Sequence, residues 1–187
     1  MVDDSMSRIR EDALACTKCP AYKYRENVVI YRGMVDPELV FVGQSPGVTE
    51  DRIGVPFVGP SGRMLETEMV TRHFPPWGVI NVVNCRPPGD KWKDDYGTAC
   101  TTFLERKLAV LSPRWVVALG GDAYKFVLPL SRPNAGDPSP PFKLFRIIHP
   151  AAVLRHPSWK QKWDDGWDRL ETELKMEAKD GEQGVKA

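Results

Sequence analysis

Cys16 and Cys19 are separated by two residues, whereas Cys85 and Cys100 stand far downstream with fourteen residues between them. Two intervening residues let both sulfurs of the first pair face one metal, but the second pair does not repeat that spacing, unlike a zinc ribbon. On spacing alone, four thiolates hold zinc or an iron–sulfur cluster equally well. Four buried free thiols are the remaining reading. A second set of polar groups follows short apolar runs: Gly43-Gln44-Ser45-Pro46-Gly47, Asn84-Cys85-Arg86, Gly120-Gly121-Asp122 and His149-Pro150. Amides, hydroxyls and imidazoles can read the edge of a base by hydrogen bonding. Asn81 interrupts the run Val79-Ile80-Asn81-Val82-Val83, where alternation puts it on the same face as two valines. A buried amide without partners costs about 1–3 kcal/mol, so backbone, water or a ligand must satisfy it. For His149 the alternatives are a hydrogen-bonded structural residue and a ligand contact.

Something must bring these groups together. Residues 39–42, 79–83, 115–119 and 144–148 are short and rich in Val, Ile and Phe. Such continuous runs suit strands covered on both faces of a parallel sheet. Helices are expected over 63–74, 100–111 and 122–130, with another over 8–15 followed by a strand at 28–31. The alternation predicts a three-layer α/β/α sandwich around a mostly parallel four-stranded sheet. Ligands then bind beyond the carboxyl ends of the strands, where the polar groups above collect. After a cap at Ser158, Trp159, Trp163, Trp167, Leu170 and Leu174 make one apolar stripe of a last helix. That stripe packs on the sheet or, alternatively, offers a tryptophan platform for bases. Residues 1–178 read as a single domain, 179–187 as a frayed polar tail, and the Pro-rich stretch 132–142 as a long loop.

The chain carries 26 basic and 25 acidic side chains, a net charge of +1, which excludes the strongly basic signature of many nucleic-acid binders. The total conceals an asymmetry: residues 13–157 hold 18 basic and 13 acidic groups, a net +5 between acidic ends. Such a domain is expected to contact a few phosphates, with modest salt dependence. No apolar run reaches the ~18 residues of a membrane span, and the polar, acidic start is not a secretory signal. A cytoplasmic protein without membrane contact is expected.

Taken in order, these segments resemble a family 4 uracil-DNA glycosylase, the iron–sulfur branch of its superfamily. The likeness covers roughly residues 16–170. It rests on Phe41-Val42-Gly43-Gln44-Ser45-Pro46-Gly47 with Glu50-Asp51, on Pro56-Phe57-Val58-Gly59-Pro60-Ser61-Gly62, on Asn81-Val82-Val83-Asn84-Cys85-Arg86-Pro87-Pro88, and on His149-Pro150-Ala151-Ala152-Val153-Leu154-Arg155. The resemblance implies a monofunctional enzyme that hydrolyses the N-glycosidic bond of uracil in single- or double-stranded DNA, acting as a monomer in base excision repair. It also implies that Cys16, Cys19, Cys85 and Cys100 ligate a [4Fe-4S] cluster in preference to zinc.

Under that resemblance, Asn81 meets the pairing edge of a flipped uracil, Phe57 stacks on its ring, and Gln44 and Ser45 complete the pocket. His149 stabilises charge on the uracil O2, and Glu50 favours the sugar cation and positions water. Leu154 and Arg155 fill the gap left in the duplex, while the backbone of Ser61 and Gly62 holds a phosphate at a helix start. Three departures stand out: Gln44 where the family more often has Glu, Ser45 in the slot of an activating Asp of another branch, and Ala151 in place of Ser. They keep two alternatives open, a glycosylase for another deaminated base such as hypoxanthine, and a uracil-DNA or replication-associated binding protein with little turnover.

Overall fold

The computed structural model describes residues 5–133 and 141–184. Five strands form one sheet: β1 (Arg32–Gly33), β2 (Leu39–Gly43), β3 (Trp77–Asn81), β4 (Trp115–Leu119) and β5 (Lys143–Ile147), in the order β1-β3-β2-β4-β5. The sheet is parallel except at its edge, where β1 runs antiparallel to β3. The expected four-stranded sheet is thus corrected to five strands. Residues 28–31, expected as a strand, form no ladder; Val28, Val29 and Ile30 are buried beside the continuation of β3, with the Val29 amide donating to the Asn84 carbonyl at 2.8 Å. The short edge strand begins only at Arg32, because two residues carry no detectable period of their own.

Helices cover both faces: α1 (Met6–Ala15), α2 (Val48–Ile53), α3 (Pro60–Thr71), α4 (Asp94–Leu111), α5 (Gly120–Val127), α6 (Pro150–Arg155) and α7 (Lys160–Gly184). Along β2, Val40 and Val42 join one core with Ile9 of α1 and Phe103 and Leu104 of α4. Leu39 and Phe41 join the other, with Leu65 and Met69 of α3 and Trp163, Trp167 and Leu170 of α7. Burial on both faces is why the strands read as unbroken apolar runs.

The last helix answers one question left by the sequence. Trp163 and Trp167 are fully buried against the sheet, while Trp159, in a 3-10 turn before α7, remains 39% exposed. Ser158 lies in that turn and does not cap the helix, which begins at Lys160. Helix α7 continues to Gly184, through residues that the sequence reading leaves frayed. Gly166 lets α7 close on the sheet, since a Cβ there would stand 3.0 Å from Ile147. Arg72 at the end of α3 binds Glu68, Asp168 and Glu171 at 2.8–3.0 Å, and the Trp163 indole donates to Glu68. Among the described residues, no helix is long and apolar enough to cross a membrane.

Candidate active site

The parallel strands end on one rim, and the chain there builds a cavity of about 210 Å³. It is lined by Gln44, Ser45, Glu50, Phe57, Ser61, Asn81, His149 and Arg155, together with Pro46, Gly47 and Ala151. Eight sequence-predicted site residues therefore meet in one place. Leu154 does not line it; it is 51% exposed on the neighbouring turn of α6. Gly62 also stays out of the lining and acts underneath it, as described below.

Asn81 is the last residue of β3, directly opposite Gly43 of β2. The two valines that alternation would put on its face part company: Val79 belongs to one core and Val83 to the other, because the strand ends at Asn81. The side chain is 1% exposed, and neither its Oδ1 nor its Nδ2 has a hydrogen-bond partner. Two buried, unpaired polar atoms on one amide are costly. They face a cavity instead of a partner.

Phe57 approaches the same spot from the loop before α3, with its backbone in the left-handed region at φ 55°. That conformation is unusual for a bulky residue. It is enforced by close packing: a Cβ on Gly62 would lie 1.8 Å from the Phe57 carbonyl oxygen, so only glycine fits beneath. On the ring side, a Cβ on Gly43 would come within 2.5 Å of Phe57 Cζ and 2.6 Å of Asn81 Oδ1.

His149 precedes α6, and its ring centroid lies 6.0 Å from that of Phe57. The Ala151 backbone N–H donates to His149 Nδ1 at 3.1 Å. Burial, and secondarily the Arg155 charge, pull the imidazole down to about 4 from its ordinary 6.5. The ring is therefore neutral at physiological pH, and with Nδ1 accepting, its proton sits on Nε2. The latch uses the backbone of residue 151, so alanine at this position sacrifices only a hydroxyl.

Glu50 contributes a fixed carboxylate. Its Oε2 accepts from the Gly47 N–H at 3.2 Å and its Oε1 from the Gly59 N–H at 2.7 Å. Neighbouring Asp51 is buried and accepts from the backbone of Glu26 and Asn27, so neither acid is a solvated loop residue. Gln44 donates through Nε2 to Asp122 at the start of α5.

The four cysteines come from the end of α1, the turn after it, the segment beyond β3, and α4. Cys85 and Cys100 are buried, Cys16 and Cys19 partly so, and all are free thiols. Burial raises the Cys85 thiol, opposed by Arg25, whose Nη1 donates to its Sγ at 3.3 Å; the charges of Cys19 and Cys16 also bear on it. Burial likewise raises Cys100 to about 11, with Cys85 and Cys19 acting in the same direction. Among the described residues, no group of three or more His, Cys, Asp or Glu side chains is disposed to hold a metal ion.

Sequence reasoning missed one residue. Lys107 on α4 is completely buried, and its Nζ donates to the Asn81 carbonyl and to Asn84 Oδ1, both at 2.7 Å. Its signal was present: Lys107 lies four residues after Phe103 and three after Leu104, on the apolar stripe of α4.

Comparison with known proteins gives a consistent result. A family model described as the Uracil DNA glycosylase superfamily matches residues 31–171. A Type-4 uracil-DNA glycosylase of Pyrobaculum aerophilum is 35% identical, over 82% of this chain and 86% of that protein. One from Thermotoga maritima is 34% identical, over 83% and 86%. Another, from Sulfurisphaera tokodaii, is 29% identical over 89% and 84%.

Proposed function

The chain belongs to the uracil-DNA glycosylase superfamily and is a hydrolase of N-glycosyl bonds that removes uracil from DNA. From that premise, we propose that Asn81, Phe57, His149 and Glu50 carry the reaction in the cavity at the strand ends. The observation that supports this most is the Asn81 amide, buried with both polar atoms unpartnered in a cavity that also holds Phe57 and His149. Uracil presents an N3–H donor and an O4 acceptor, which one amide meets with its oxygen and its nitrogen. Phe57 stacks on the ring, a contact of about 1–3 kcal/mol per base.

Cleavage breaks the bond between C1′ and N1, and the electron pair leaves with uracil. His149, neutral and donating from Nε2, hydrogen-bonds the developing negative charge on O2. Glu50 sets a carboxylate near the sugar cation and the entering water. Water oxygen bonds to C1′, one of its protons leaves, and the uracil anion is protonated. Leu154 wedges into the gap in the duplex with Arg155, and the first amides of α3, at Ser61 and Gly62, hold a phosphate. The free thiols are in keeping with a reducing, intracellular setting.

Although the described side chains are not arranged as a metal site, the donor chemistry fits a [4Fe-4S] cluster: four thiols, with Arg25 and Lys107 near enough to offset the negative charge of their thiolate forms. Cys16, Cys19, Cys85 and Cys100 would hold it, and bound there it would tie α1 to α4 and to the segment that follows Asn81. Protein purified without oxygen is expected to be brown, with broad visible absorption and about four irons per chain. Colourless protein with stoichiometric zinc would overturn this assignment.

The direct test is release of free uracil from uracil-bearing oligonucleotides, single- and double-stranded, beside a panel carrying hypoxanthine and other deaminated bases. Uracil is the base expected to be released. Failure with both strand forms at high enzyme would count against the reading, and tight binding without product would favour recognition without turnover.

The state of His149 sets a pH dependence. Because the folded imidazole titrates near 4, single-turnover release should be flat through the ordinary histidine range and fall only as the pH approaches about 4. A depressed histidine stabilises nothing by protonation. The unfolded chain takes up the proton first, so stability is lost as pH falls from 6.5 towards about 4. A pH–rate profile with its acid limb near the ordinary histidine value of 6.5 would contradict the assignment.

A further inference from the structure

We propose that Lys107 is the positioning residue of the uracil pocket, a buried cation that fixes the end of β3 so that Asn81 presents its amide to the base. The inference rests on reading Asn81 as the uracil-binding amide, and it adds a residue from the opposite face of the sheet.

The geometry is specific. Parallel pairing of β3 with β2 ends at Asn81, beyond which the chain leaves the sheet towards Cys85. A strand end is where backbone position is least constrained by its ladder. Here Val82 and Val83 still donate to the carbonyls of Gly43 and Gln44, but the Asn81 carbonyl is taken by Lys107 Nζ at 2.7 Å. The same ammonium binds Asn84 Oδ1 at 2.7 Å, so one side chain spans the turn from the residue that meets the base to the residue before Cys85.

A fully buried lysine is rare unless it is paired, since removing an ammonium from water is costly. Among the described residues Lys107 has no carboxylate partner; its hydrogen bonds go to a carbonyl and an amide oxygen. It lies within electrostatic reach of Cys100 and Cys85 on one side and bonds the Asn81 carbonyl on the other, between the cysteine corner and the uracil pocket. An apolar residue would fill this site on α4 more cheaply. What the ammonium provides is two charge-assisted hydrogen bonds that an apolar residue cannot make.

The test compares two ligands. Free uracil reports on the Asn81 amide, whereas DNA containing an abasic site reports on the rest of the interface. Lys107→Met, nearly the same length, leaves the Asn81 and Asn84 oxygens buried without a donor. It should weaken uracil binding about tenfold or more, as loss of a charged hydrogen bond does, with affinity for abasic DNA changed by less than about twofold. Asn84→Ala removes one anchor and should weaken uracil binding severalfold, and Asn84→Asp, which keeps the acceptor, should restore it.

The two Asn84 variants also carry the test if Lys107→Met does not fold. Unchanged uracil affinity in folded Lys107→Met, equal loss for both ligands, or identical behaviour of Asn84→Ala and Asn84→Asp would each overturn the proposal. If the unaltered protein binds no uracil, the reading of Asn81 fails first.

Discussion

Replacing His149 with alanine should lower the single-turnover rate of uracil release by about 10²–10³-fold, the usual cost of removing one donor aimed at developing negative charge. Affinity for uracil-bearing DNA should change far less. The asymmetry follows from the ring's charge state. A neutral imidazole donating from Nε2 makes an ordinary hydrogen bond to the carbonyl oxygen of bound uracil and a much stronger one to the anion that forms as the bond breaks. Had the ring been cationic, it would attract the phosphates of any DNA, and its loss would appear in binding. Burial and Arg155 keep it uncharged, and the Ala151 N–H holds Nδ1 as the acceptor, so the donor is already oriented. Glutamine at position 149 should recover part of the rate if a neutral donor is what matters. Equal losses in rate and in DNA affinity would sink this role.

Gly43→Ala should be nearly as damaging, although glycine has no chemistry of its own. The added methyl would meet Phe57 Cζ at 2.5 Å and Asn81 Oδ1 at 2.6 Å, displacing the stacking ring and the base-reading amide together. Neither can yield easily, because Phe57 is pinned at φ 55° over Gly62 and Asn81 ends a paired strand. Misplacement of positioned groups by about 1 Å costs on the order of 10²-fold in rate. The substitution should depress both uracil affinity and rate of release, while far-UV circular dichroism and affinity for abasic DNA stay close to those of the unaltered protein. Normal excision by Gly43→Ala would mean that the cavity is not where uracil is held.

The pattern of what could be read from the sequence has physical causes. The strands were visible because a parallel sheet covered on both faces leaves continuous apolar runs, and the rim residues because ligands in such sheets lie past the strand ends. The edge strand was misplaced by a few residues because Val28, Val29 and Ile30 are as apolar and buried as any strand without pairing as one. Helices α2 and α6, of six residues each, are too short to show a helical period. The packing role of Gly43 and Gly62 depends on which side chains approach from elsewhere, which no local pattern reveals. Lys107 was hidden differently: in Glu105-Arg106-Lys107 it looks like one more charge on a solvated face, and only its place among Phe103, Leu104 and Leu108 marks it as inward. The cysteines illustrate the converse. Their spacing named the metal chemistry that was possible, but the offsetting role of Arg25 emerged only from the fold.

The unpartnered amide of Asn81 has a consequence after the bond is cut. Among the described residues, nothing hydrogen-bonds this side chain, so on the proposed role uracil would satisfy it equally well before and after separation from the sugar. Departure of the severed base leaves two buried atoms bare again, at about 1–3 kcal/mol for each. With Asn81 in the proposed role, the grip that recognises the lesion is also a grip on the product, and added free uracil is expected to slow turnover.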